Sequence, residues 1–306
     1  MSESVILGSA AGAAAVGPVI APGAGGEKPM LGRYQVEKEL GKGAMGVVYL
    51  GHDPKIGRVV AIKTMALSQE FPPDELVEVK ERFFREAETA GRLNHPNIVT
   101  IYDAAEEHDL AYIAMEFLEG EDLASHTKPD GLLPLPRVLS IGARVAEALA
   151  YAHGQNVVHR DIKPANVMWE PDTDTVKVTD FGIARITDSG KTQTGMVLGT
   201  PSYMSPEQLA GKSIEGASDL YSLGVTLYQL VCGKLPFEGE SMAQLMFKIA
   251  NEPPANILRL RPGLPPCVVH VIYKAMMKKA EERYRDGEEM ARALRECAAR
   301  IPAGPA

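Results

Sequence analysis

His159-Arg160-Asp161-Ile162-Lys163-Pro164-Ala165-Asn166, with Asp180-Phe181-Gly182 following it, is the part of this sequence that decides the fold. An acid, a lysine and an amide recur at close intervals, then a second acid stands beside a glycine. A carboxylate at Asp161 can orient a hydroxyl and take its proton, and Lys163 beside it can neutralise charge arriving on a transferred group. Asn166 and Asp180 offer an amide and a carboxylate oxygen, the hard donors that Mg²⁺ prefers. A solvated run of charges would explain each residue singly. It does not explain both segments in this order, given what stands upstream of them.

Upstream lies Gly41-Lys42-Gly43-Ala44-Met45-Gly46-Val47-Val48, a G-x-G-x-x-G-x-V pattern. Glycines let a backbone approach phosphate oxygens with no Cβ in the way. A dinucleotide-binding turn is the rival reading, but it requires a helix after the glycines. Here a β-branched strand follows, so the loop is expected as a flap between two strands. Val60-Ala61-Ile62-Lys63 then ends an apolar strand in a lysine within reach of α- and β-phosphates. Leu76, Val79, Phe83, Ala87 and Ala90 mark one face of a helix opened by Pro72-Pro73. Glu86 falls at the edge of that face, and an inward acid wants a cationic partner; Lys63 is the expected one.

The rest of the chain divides into two halves. Tyr34 to Lys63 reads as a meander, and the runs Ile98 to Ala105 and Leu110 to Phe117 read as a hairpin around a polar turn. Beyond Glu116–Gly120 the pattern turns helical, as in Val138, Ile141, Val145, Leu149 and Ala152. The expectation is a bilobed α+β architecture: a strand-rich N-lobe over 34–116 and a larger helical C-lobe over 117–298. Residues 1–33 are expected to be a disordered Gly/Ala/Pro-rich leader, and 299–306 a short tail.

Composition sets limits. The chain has 306 residues, 45% hydrophobic and 24% charged, which suits a globular enzyme. A net charge of −8 disfavours a surface built for nucleic acid. The uncharged stretch over residues 4–26 is poor in the Leu, Ile and Phe that drive membrane insertion, and no basic region precedes it as in a signal peptide. No integral membrane segment is expected. Cys232, Cys267 and Cys297 lie far apart without CxxC spacing, so three separate thiols in a reducing, cytoplasmic setting are expected.

These motifs resemble the eukaryotic-like (Hanks-type) protein kinases, and HRDIKPANV looks most like the bacterial serine/threonine enzymes, over residues 34 to 298. The resemblance implies ATP with Mg²⁺, or Mn²⁺, in a cleft between the lobes, and protein substrates. Asp161, Lys163, Lys63 and Glu86 become the catalytic set, with Asn166 and Asp180 as metal ligands. Leu40, Gly41, Gly43, Gly46, Val48, Ala61, Lys63, Met115, Glu116, Leu118, Asp122 and Met168 become the nucleotide contacts. Met115 would guard the adenine pocket, the backbone of Glu116 and Leu118 would bind adenine edges, and Asp122 would meet the ribose.

Downstream, Gly199–Tyr203 with Ser205-Pro206-Glu207 resembles the substrate-docking segment, serine replacing the usual alanine. Thr200 resembles the threonine that bridges the catalytic Asp and Lys. Asp219 resembles the aspartate that anchors the catalytic loop, and Arg283 the arginine that pairs with Glu207. Tyr221 stands where many relatives have tryptophan. Ile183 after the Asp-Phe-Gly motif implies preference for threonine acceptors. Thr192 and Thr194 resemble paired sites of autophosphorylation between transiently associated molecules, with Arg160 receiving the phosphate. A pseudokinase scaffold is disfavoured by the presence of Lys63, Asp161 and Asp180. A small-molecule kinase of related fold is disfavoured by the docking segment.

Overall fold

The computed structural model describes residues 29–43, 46–107, 109–181 and 201–301. In the N-lobe, strands β1 (Met30–Leu31), β2 (Tyr34–Gly43), β3 (Gly46–Asp53), β4 (Arg58–Met65), β5 (Ile101–Glu107) and β6 (Leu110–Glu116) form one sheet in the order β1-β2-β3-β4-β6-β5. Helix α1 (Leu67–Glu70) and the long helix α2 (Leu76–Gly91) follow β4.

Alternation along the strands divides the lobe's apolar side chains between two clusters, because successive side chains point to opposite faces. Ala61, Met65 and Met115 pack with Val79, Phe83 and Ala87 of α2. Val60 and Ile62 join Tyr34, Val36, Val47, Tyr49 and Tyr112 on the other face. At Gly46 φ is +156°, and a Cβ there would meet the Thr64 carbonyl oxygen at 1.7 Å, so the strand pair closes only around glycine.

The expected hairpin is present as the antiparallel pair β5–β6, but its first strand begins at Ile101. The residues before it serve another purpose. Asn97 O accepts the Val178 N–H at 2.8 Å and the Val99 N–H donates to Val178 O at 3.0 Å, which ties the two lobes together at the back of the cleft.

The C-lobe is built on α3 (Leu135–Gly154) and α5 (Gly216–Cys232), with α4 (Pro206–Leu209), α6 (Met242–Asn251), α7 (Ile257–Leu260), α8 (Pro266–Ala275) and α9 (Gly287–Ala298) around them. Val138, Ile141, Val145, Leu149 and Ala152 are all buried, on the face of α3 that the spacing predicts. Helix α5 is buried nearly all round and ends where Gly233 adopts φ +75°, its N–H returning to Gln229 O. Among the described residues no helix is long and apolar enough to cross a membrane.

A small sheet sets up the chemistry: β7 (Glu121–Asp122), β8 (Val167–Glu170) and β9 (Thr175–Val178), in that order. Because Val167 pairs antiparallel with Val178, Asn166 and the Thr179–Asp180 segment emerge side by side at one end.

The cysteines differ from expectation. Cys267, at the start of α8, is disulfide-bonded to Cys297, near the end of α9, with Cα atoms 5.6 Å apart. The pairing arises because α8 and α9 pack together and bring those two ends into contact. Cys232 remains a buried free thiol.

Candidate active site

The catalytic loop runs between α3 and β8 and is held by backbone contacts. Asp219 of α5, buried to 1% exposure, accepts the His159 N–H at Oδ2 and the Arg160 N–H at Oδ1, both at 2.8 Å. His153 Nε2 lies 2.8 Å from the same Oδ2. One carboxylate therefore fixes two successive peptide groups and binds a ring from α3. This constraint accompanies an unusual backbone: Arg160 has φ +72° and Asp180 φ +63°, in the left-handed region that non-glycine residues seldom occupy.

His159 is fully buried and acts as a structural joint. The Asp161 N–H donates to its Nδ1 at 3.2 Å, which places the ring proton on Nε2, donated to Thr179 O at 2.7 Å. Its ring also meets Phe181 edge-on at 4.6 Å. Thus one neutral imidazole ties the catalytic loop to the segment that carries Asp180.

Asp161, Lys163 and Asn166 converge. Lys163 Nζ lies 2.7 Å from Asp161 Oδ2, and Asn166 Nδ2 donates to the Asp161 carbonyl at 2.8 Å and to its Oδ2 at 3.1 Å. Oδ2 is thereby occupied, which leaves Oδ1 to receive a proton. The Asn166 amino group is committed as well, so its carbonyl oxygen is the end available to a cation. Asp180 adds a carboxylate on the neighbouring chain segment. This all-oxygen pair fits a hard divalent cation shared with phosphates.

Lys63 departs from the expected pairing. Its Nζ is 2.7 Å from Asp180 Oδ2, and it is not bonded to Glu86. Glu86 is buried on α2, at 7% exposure, and is engaged elsewhere. In this structure the Lys63 ammonium sits against the Asp180 carboxylate. Burial pushes the Asp180 carboxyl up, but the Lys63 charge and hydrogen bond, helped by Lys163, hold it below the ordinary aspartate range.

Leu40, Val48, Ala61, Lys63, Met115, Glu116, Leu118, Met168 and Asp180 line a cleft of about 550 Å³ between the lobes. Its upper and lower walls are apolar, as a planar aromatic ring requires. Met115 stands at the back and also lines a second apolar hollow with Ala90, Ile98, Ile101, Ile113 and Phe181. The Glu116 side chain is held outside the ring site by Lys177 at 2.7 Å. Gly41 and Gly43 lie at the tip of β2, facing Val48 and Gly46 across the strand pair. Asp122, the expected ribose contact, holds a local turn. It is 2% exposed, its Oδ1 caps a short 3₁₀ turn by accepting the Ala124 N–H at 2.8 Å, and it is not among the residues lining the cleft.

Below the catalytic loop, Arg283 makes a two-pronged pair with Glu207, at 2.6 and 2.8 Å. Ser218 donates a further bond to Glu207. Burial pushes the Glu207 carboxyl up, yet the bonds from Arg283 and Ser218 overcome it and hold its pKa at about 2. The guanidinium also stacks over the buried Tyr221 ring at 5.0 Å, so tyrosine fills the place of the more usual tryptophan. Ser205 is fully buried and caps α4, accepting the Gln208 N–H at 3.2 Å. This serine is more than a small substitute for alanine, and S-x-x-Q was its signal in the sequence. Ile183, Thr192, Thr194 and Thr200 lie outside the described residues.

A family model described as the protein kinase domain matches residues 34–297. The chain belongs to the protein kinase family. The kinase domain is 42% identical over 269 residues to the serine/threonine-protein kinase PknA of Mycobacterium tuberculosis (strain H37Rv), covering 86% of this chain and 61% of that protein. It is 40% identical over 264 residues to the serine/threonine-protein kinase PrkC of Bacillus subtilis, covering 86% of this chain and 40% of that one. The chain thus spans about half the length of these curated relatives. Among solved structures, the kinase domain of Mycobacterium tuberculosis PknI superposes with a TM-score of 0.71 at 30% identity, covering 89% of this chain and 98% of that one. The relatives are bacterial kinases of the type that the HRDIKPANV run resembles.

Proposed function

We propose that this domain transfers the γ-phosphoryl group of ATP to serine or threonine hydroxyls of proteins, in the cytoplasm where ATP is abundant. The observation that carries the reading is the convergence of Asp161, Lys163, Asn166, Asp180 and Lys63 at one end of the cleft. Asp161 Oδ1 accepts the proton of the acceptor hydroxyl, whose oxygen forms the new bond to phosphorus as the bond to ADP breaks. Lys163, already against Asp161, neutralises charge on the moving group. Lys63 is the phosphate contact from the N-lobe, and the shift of its ammonium away from Asp180 would release that carboxylate for the cation. Asn166 and Asp180 would hold Mg²⁺ or Mn²⁺, which when bound supplies positive charge against the phosphates. The apolar cleft walls at Val48, Ala61 and Met168 suit adenine, with the Glu116 and Leu118 backbone reading its edge.

Finer points belong to the same proposal. Ile183 favours threonine over serine. Thr192 and Thr194 are phosphorylated by a second, transiently associated copy, and Arg160 receives the charge, since a phosphate adds nearly two negative charges and three acceptors. The test of the main reading is transfer of labelled phosphate from ATP to myelin basic protein by the wild type and by Asp161→Asn. Transfer by the wild type and not by the variant supports it; no transfer by the wild type, or equal transfer by both, overturns it. Phosphosite mapping that excludes Thr192 and Thr194, or a peptide pair phosphorylated faster on serine, would remove the finer points alone.

A further inference from the structure

Gln208 occupies the last turn of the docking segment, and each end of its side-chain amide is used. Oε1 accepts the Ser205 N–H at 2.9 Å, closing a reciprocal cap with the Ser205 hydroxyl. Nε2 donates to the carbonyl oxygen of Arg160 at 2.9 Å. That carbonyl belongs to the peptide unit joining Arg160 to Asp161, whose N–H donates to His159 Nδ1 at 3.2 Å. The peptide plane just before the Asp161 side chain is therefore held at its oxygen by Gln208 and at its nitrogen by His159. On the other side of Arg160, Asp219 holds the preceding N–H. Arg160 sits at φ +72°, a conformation that persists only when neighbours over-determine it. Rotation of this plane changes Asp161 φ, and with it the direction of the Asp161 carboxylate.

We infer that Gln208 is a positioning residue for phosphotransfer: it locks the Arg160–Asp161 peptide plane to the docking segment, so that the seating of that segment sets the aim of Asp161. The inference rests on the phosphotransfer reading above. Only an amide serves both ends, because Ser205 N–H needs an acceptor and the Arg160 carbonyl needs a donor. A carboxylate would keep the helix cap, since glutamate closes a capping box as well as glutamine does, but it would set an oxygen against the Arg160 carbonyl.

Gln208→Glu therefore separates the two roles. At pH 8 its kcat is expected to fall about tenfold, the worth of one lost hydrogen bond plus a misaimed group, with KM for ATP and the thermal midpoint close to wild type. Gln208→Met, which lacks both functions, is expected to lose kcat and to lower the thermal midpoint as well, because the cap contact to Ser205 goes with it. Hydrogen exchange gives a readout that needs no activity: the peptide spanning His159–Asp161 is expected to exchange faster in Gln208→Glu. An inactive wild type would sink the phosphotransfer reading and leave exchange to decide the positioning role. Wild-type kcat in Gln208→Glu, or unchanged exchange at 159–161, would overturn the inference.

Discussion

The two walls of the cleft are secured by different means. On the C-lobe wall, the peptide groups around Arg160 are bound by Asp219, His159 and Gln208, which are fixed in turn by the packing of α3, α4 and α5. On the N-lobe wall, Lys63 hangs on one ion pair that reaches across to Asp180, while Glu86 is buried on α2 and engaged elsewhere. The difference shows what each wall must do. In the proposed reaction Asp161 has to keep one geometry, and contacts to backbone within a single core supply that. A lysine held by an ion pair across the cleft can exchange its partner, so its present position depends on where Asp180 stands.

The strongest way to break this comparison is to cut each wall in turn. Asp161→Asn is expected to lower kcat by about 10²–10⁴-fold, and Lys63→Met to abolish measurable transfer, both with near wild-type thermal midpoints. Asp219→Ala, by contrast, strands buried donors at roughly 1–3 kcal/mol each, so activity and thermal midpoint should fall together. An Asp219→Ala protein with normal stability and turnover would mean that the C-lobe wall is not pinned as described.

Next in size is the ion pair beneath the C-lobe wall. Arg283→Met leaves Glu207 without its partner and is expected to cost about 3–5 kcal/mol in urea denaturation. The same pair sets an acid branch. Glu207 is depressed from 4.5 to about 2, so its stabilisation is complete above pH 4.5 and is lost as pH falls toward 2. By linkage the loss amounts to about 3 kcal/mol. Glu207→Gln should flatten that part of the stability curve; an unchanged acid branch would assign it to other groups. Reduction of Cys267–Cys297, far from either wall, should lower stability by about 2–4 kcal/mol and leave kcat in place. A matching loss of kcat would extend the pinned region to α8 and α9. The smallest effect belongs to Ser205→Ala, whose lost cap should cost about 1 kcal/mol, read as a shift in the urea midpoint.

The sequence disclosed the fold and most of the catalytic loop because Asp161, Lys163, Asn166 and Asp180 lie in short motifs whose spacing reflects one backbone path. The β-branched runs of β3 and β4 and the apolar face of α2 were legible for the same local reason. Other features depend on distance in space. Whether Lys63 meets Glu86 or Asp180 is decided by tertiary placement, and Cys267 meets Cys297 only because two helices pack with those ends together. Asp122 is ambiguous in another way, since an acid suited to a ribose serves equally well as the cap of a turn. Ser205 and Gln208 had a local signature, but its importance lies in the contact to Arg160, which no local pattern encodes.

Met115 has a consequence for small-molecule inhibition. It borders both the cleft and the apolar hollow, as Val99 and Asp180 do. An inhibitor whose aromatic core carries only small groups in that direction stays in front of the thioether. A bulky substituent must displace it to reach the rear compartment. Because methionine is unbranched and turns about three bonds, the obstruction yields gradually, and potency should decline step by step with substituent size instead of vanishing at a sharp limit.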